Sequence, residues 1–96
     1  MFTLETLQTY RNDILSVADK YGVRNIRVFG SVVRGDVTDG SDIDLLVELE
    51  SDRSLIDRIA FMQELEKLLG QKVDIVNERA LHHLIRDKVM REVRQL

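Results

Sequence analysis

Cysteine, proline and tryptophan are all missing from this 96-residue chain, and aromatic residues make up only 5% of it. Without cysteine there is no disulfide framework, no thiolate zinc site and no cysteine nucleophile, and a reducing compartment is permitted. The opening MFTLETLQTYRND lacks the basic start and apolar stretch of a signal peptide. No apolar run approaches the roughly 20 residues that a membrane span needs. An excess of basic residues is missing too. Fourteen Lys and Arg against 17 Asp and Glu leave a net charge of −3, which argues against affinity for nucleic acid or anionic membrane resting on a basic surface. The expectation is a cytoplasmic protein with neither nucleic acid nor membrane as a direct partner.

What is present is ordinary for a globular domain: 44% hydrophobic and 32% charged residues. A chain of this size buries only about 60–70% of the surface its unfolded form exposes. Residues 1–96 are therefore read as one domain with one modest core and no room for a second, substrate-binding lobe. Leu7, Tyr10, Ile14, Val17, Ala18 and Tyr21 recur at helical spacing and predict a helix over residues 3–21, with Thr3 as N-cap and Gly22 just past its end. A strand over Asn25–Phe29 follows, then a connection over residues 31–41 with room for one helical turn. From Asp42 to Leu49 the pattern alternates, with Ile43, Leu45, Val47 and Leu49 on one face and Asp42, Asp44, Leu46 and Glu48 on the other. Ser54 to Gly70 reads as a second helix, Lys72–Val76 as a third strand, and residues from about 80 to 92 as a third helix. The last four residues are compatible with fraying, helix or strand. This order predicts an α/β (α+β) fold with a small mixed sheet flanked by helices. The first two strands pair antiparallel, and the helical crossover favours parallel pairing of the second and third.

The chemistry concentrates in GSVVRGDVTDGSDIDLLVE, residues 30–48. Asp42 and Asp44 stand two apart on a strand, so both carboxylates face the same side. Such a pair raises its own proton affinity unless a cation lies between the two. Magnesium suits it, because that ion takes one or two protein carboxylates and completes its octahedron with water and phosphate oxygens. An antiparallel first strand would bring Gly30 and Ser31 beside Asp42. Gly30 permits a sharp turn and a close approach to a ligand, while Ser31 offers its amide and hydroxyl to a phosphate. Gly30-x4-Gly35 echoes half a P-loop, but Asp36 and Val37 follow where Lys and Ser/Thr are needed. Arg34 is open to two readings, as a phosphate ligand or as a stem covering apolar surface. Asp36 and Asp39-Gly40 read as turn formers. His82 and His83 are expected to face different ways on a helix and so not to share a metal.

Gly-Ser, ten residues, then Asp-x-Asp on a hydrophobic strand resembles the signature of the DNA polymerase beta-like nucleotidyltransferase superfamily. GSxxRG leading into SDIDLLVE in so short a chain is similar to the minimal nucleotidyltransferases (MNT proteins), and the resemblance spans essentially the whole chain. It implies a third carboxylate at Asp74, within Lys72-Val-Asp-Ile-Val76. It also implies two Mg2+ ions held by Asp42 and Asp44, with Asp74 acting as a base or as a further metal ligand. ATP would be the substrate, and Gly30, Ser31 and Arg34 would line the nucleotide phosphates. MNT proteins pair with helical HEPN toxins, so the resemblance implies an antitoxin in a hetero-oligomer that transfers AMP to a tyrosine of its toxin. The alternatives are an antitoxin that acts by occlusion alone and a subunit of an aminoglycoside-type nucleotidyltransferase.

Overall fold

The computed structural model describes residues 2–36 and 42–96; the expected Asp39-Gly40 turn lies outside them. The N-terminal helical stretch is two helices, α1 (Leu4–Thr9) and α2 (Arg11–Tyr21), hinged at Tyr10, whose backbone (φ −94°, ψ 6°) leaves the helical region. Thr3 caps α1 by accepting from the Thr6 N–H, and Gly22, left-handed at φ 70°, ends α2. Strand β1 (Val23–Phe29) runs into the short helix α3 (Ser31–Arg34), and β2 (Ile43–Leu49) leads to α4 (Leu55–Leu69). Ser54 opens α4 and Gly70 closes it, as the sequence predicts, and Asp57 completes a capping box with Ser54. Strand β3 (Val73–Asn77) is followed by a 3-10 turn (Glu78–Ala80), helix α5 (His83–Glu92) and a short strand β4 (Arg94–Gln95).

The sheet order is β3-β2-β1-β4. Strands β1 and β2 pair antiparallel, β2 and β3 parallel, and β4 lies antiparallel along the outer edge of β1. The expected mixed sheet is present, and the chain end that allowed three readings is a strand.

Period-two alternation divides the sheet into two faces. One carries Ile26 and Val28 of β1, Ile43, Leu45 and Val47 of β2, and Val73 and Ile75 of β3. These pack with Ile14 and Ala18 of α2 and Phe61, Leu65 and Leu69 of α4 into one buried cluster. The partly buried Tyr10 and Tyr21 pack against it, as their place on the apolar stripe predicts. Arg27, Phe29, Asp44, Leu46 and Asp74 occupy the opposite parity. There Leu46 is fully buried and Arg27 is 4% exposed.

A buried guanidinium needs a counter-charge, and Glu78 supplies it. The Glu78 carboxylate accepts from Arg27 Nη1 and, at 3.4 Å, from Arg86 Nη2 of α5, so one acid ties β1 to the C-terminal helix. The Arg27 guanidinium holds the Glu78 carboxyl below its ordinary range. Breaking a buried ion pair from one side typically costs 3–5 kcal/mol, because the remaining charge is left without a partner. Glu78→Ala is therefore expected to lower unfolding free energy by about 3 kcal/mol or more, measured by urea denaturation. A loss below about 1 kcal/mol would mean that water solvates Arg27 well enough without its partner.

Candidate active site

Antiparallel pairing sets Phe29, the last residue of β1, opposite Asp44. Parallel pairing sets Asp74 beside Asp44 on the other side, in register. Neighbouring strands lie about 4.8 Å apart, so these two carboxylates leave the sheet as nearest neighbours on one face. Asp42 precedes them by one pleat repeat and is exposed, as is Asp74, whereas Asp44 is half-buried. The three acids and the Gly30–Ser31 turn thus come to one end of the sheet.

Gly30 is what lets them meet. Its backbone (φ 79°, ψ −152°) is closed to residues with a side chain, and a Cβ there would stand 2.1 Å from Asp44 Oδ2. The Asp44 carboxylate therefore lies directly on the turn. The Gly30 carbonyl oxygen accepts from the Val33 and Arg34 N–H groups, both at 3.1 Å, and starts α3. Ser31, half-buried, is the first residue of that helix.

Burial is the main cause that raises the Asp44 carboxyl from 3.8 to about 6, followed by repulsion from Asp74 and Asp42. Arg34 opposes the shift and Glu92 adds to it. A carboxylate held this way gains from any cation that approaches it, and hard oxygen donors suit Mg2+. Among the described residues no three Asp, Glu or His groups stand close enough together to cage an ion unaided.

Arg34 is half-exposed, with its guanidinium engaged by carboxylates: Nη1 to Glu92 at 2.7 Å and Nε to Asp36 at 3.3 Å. It borders a cavity of about 260 Å³ lined also by Phe29, Gly30, Asp44, Lys88 and Glu92. A contiguous groove is lined by Arg34, Lys88, Arg91 and Glu92. Helix α5 thus furnishes one wall of the site, which the sequence reading missed. The signal was there in the spacing of Ile85, Lys88, Val89 and Glu92, which share one helical face. The histidines need a correction. His82 lies outside the helix in extended conformation and caps it, its Nδ1 accepting from the Leu84 N–H at 3.1 Å. Its ring stacks on His83 with centroids 4.6 Å apart, so the two do not face different ways.

The sequence matches the nucleotidyltransferase domain family over residues 13–96. It is 40% identical over 94 residues to the protein adenylyltransferase MntA of Thermococcus cleftensis, an alignment covering 97% of this chain and 95% of that one. A solved structure assigned as a minimal nucleotidyltransferase superposes with a TM-score of 0.86 at 45% identity, covering 99% of this chain and 97% of the other. The crystal structure of a toxin–antitoxin with AMP-PNP superposes with a TM-score of 0.73 at 27% identity, covering 88% of this chain and 69% of that one.

The raised Asp44 carboxyl makes a stability prediction. Folding takes up a proton between 3.8 and about 6, so ionised Asp44 burdens the native state above that window and protonated Asp44 does not burden it below. Asp44→Asn removes the ionisation while keeping the shape. It is expected to stabilise the protein by on the order of 2 kcal/mol at pH 8 and by little at pH 4. Thermal melts of both proteins across that range test it. An offset that does not change with pH would show that Asp44 carries no such penalty.

Proposed function

The chain belongs to the nucleotidyltransferase domain family, and we propose that it acts as an antitoxin, transferring AMP from ATP to a tyrosine hydroxyl of a helical HEPN-type toxin. The observation that carries this reading is the register that sets Asp74 beside Asp44, with Gly30 packed onto the Asp44 carboxylate. Transfer to a protein is supported by the likeness to a protein adenylyltransferase. A nucleotide and a toxin partner are supported by the likeness to a toxin–antitoxin solved with AMP-PNP. This reading sets the reaction in the cytoplasm.

In this mechanism Gly30 and Ser31 receive the triphosphate, the turn by close backbone approach and Ser31 by its hydroxyl. Arg34 and Lys88 face the same cavity and offset phosphate charge. Asp42 and Asp44, with Asp74 beside them, are the groups that would hold Mg2+. When bound, two such ions would neutralise the triphosphate and lower the barrier to attack at the α-phosphorus. Asp74 accepts the proton of the incoming hydroxyl or orients it. The tyrosine oxygen forms its bond to the α-phosphorus as the bond to the departing pyrophosphate breaks. The acceptor comes from outside the chain, so much of the rate depends on how the partner positions its hydroxyl, about 3 Å from phosphorus.

Incubating the protein with its helical partner and magnesium-ATP should add AMP to the partner, seen by intact mass, and inhibition of the partner should persist once the protein is removed. Asp42→Asn and Asp44→Asn are each expected to slow transfer about 100-fold or more while remaining folded. Asp74→Asn, if Asp74 is the base, should slow transfer far more than it weakens magnesium-ATP binding. An unmodified partner that Asp42→Asn silences as well as wild type does would leave an antitoxin that works by occlusion.

A further inference from the structure

The acid site occupies the start of β2 and β3. At the far end of the same two strands, five residues and about 16 Å along β2, lies a second cleft of about 330 Å³ between the loop before α4 and the 3-10 turn. Arg53, Arg58 and Arg79 line it, together with Ser51, Asn77 and Leu55. Three guanidiniums around one cavity are notable in a chain of net charge −3. Glu50 also lines the cleft, and Asp57 stands 3.9 Å from Arg53 Nη1. Among the described residues Arg58 and Arg79 have no carboxylate within ion-pair distance. Arg53 packs against the end of α2. Its side chain lies across Gly22, where a Cβ would come within 2.4 Å of Nε, and that buried Nε has no hydrogen-bond partner among the described residues.

We propose that this cleft is a second, metal-independent binding site for a small phosphate-bearing molecule. Guanidinium forks match phosphate oxygens in pairs, and three of them with the Ser51 hydroxyl and the Asn77 amide suit a group with three acceptor oxygens better than a single carboxylate. The cleft also opens at the carboxyl ends of the parallel pair β2 and β3, beside the N-terminus of the 15-residue helix α4, where Asp57 of the capping box already supplies one anion. Leu49, Leu55 and Ala80 give it an apolar wall for the rest of the molecule. The acids of the first site repel phosphate unless a cation intervenes, whereas this cleft needs none.

The test is an amide-resolved NMR titration of the full chain in EDTA with inorganic phosphate, pyrophosphate, AMP and, as a carboxylate control, hexaglutamate. Saturable shifts centred on Ser51, Arg58, Asn77 and Arg79 are expected. Tighter binding of AMP would identify an organic phosphate, and equal binding of inorganic phosphate the free ion. Arg58→Gln and Arg79→Gln should each weaken binding about tenfold, while Asp44→Asn should leave it unchanged. Shifts that never saturate, that centre on residues 30–34, or that survive both arginine substitutions would overturn the proposal. So would hexaglutamate binding as well as the phosphates, which would mark the cleft as a surface for an acidic protein segment.

Discussion

The Asp44 carboxylate rests on a piece of backbone that only glycine can provide. Much of the site depends on that contact. A side chain at position 30 would meet Asp44 Oδ2 at 2.1 Å, so the end of β1, the start of α3 and the start of β2 can converge only because that side chain is absent. Convergence then removes water from Asp44, the main cause that pushes its carboxyl up to about 6. The turn that packs onto Asp44 therefore also raises the energy of the carboxylate beside it. Steric permission at one residue and electrostatic tension at another are two aspects of a single contact.

Strand parity lets so small a domain hold both a core and a site. Residues 43, 45 and 47 of β2 enter the buried cluster while Asp44 and its in-register neighbour Asp74 leave on the other side. Neither group competes with the other for space. The second face still needs covering near Arg27 and Leu46. The Glu78 bracket between Arg27 and Arg86 helps to keep α5 there. Helix α5 in turn brings Lys88 and Glu92 to the cavity at Asp44. A buried ion pair on one side of the sheet thus helps to set the wall of a site several residues away.

The features legible in the sequence were those with a short period. Alternation over residues 42–49 assigned each side chain of β2 to its face, and the crossover through α4 implied that β2 and β3 run parallel. Gly22, Ser54 and Gly70 marked helix ends by local backbone preference alone. What escaped depends on contacts distant in sequence or on backbone choices that composition does not encode. The break at Tyr10 interrupts an apolar stripe whose spacing is continuous, so periodicity could not reveal it. His82 reads as a helical residue until its extended backbone turns it into a cap. The pairing of Arg94–Gln95 with β1, and with it the place of α5, rests on a long-range strand contact that two residues cannot announce. Arg34 borders the cavity at Asp44, but its tie to Glu92 was invisible in the sequence because Glu92 lies 58 residues away.

Those ties bear on how the site manages charge. In the proposed function a triphosphate, a polyanion, would settle among carboxylates that already repel one another. The cations contributed by the chain stand on α3 and α5, as Arg34, Lys88 and Arg91. Arg34 is largely occupied by Glu92 and Asp36, so the field it offers an incoming phosphate is reduced. The protein's own positive charge thus borders the acids without cancelling them, and Asp44 keeps its raised affinity for positive charge. A nucleotide that arrived alone would add to the repulsion. One that arrived with a divalent cation would relieve it, because the same ion screens the phosphates and the acids together. In the proposed function, the unfavourable ionisation of Asp44 would couple nucleotide binding to the cation, and a site relaxed by a stronger internal ion pair would lose that coupling.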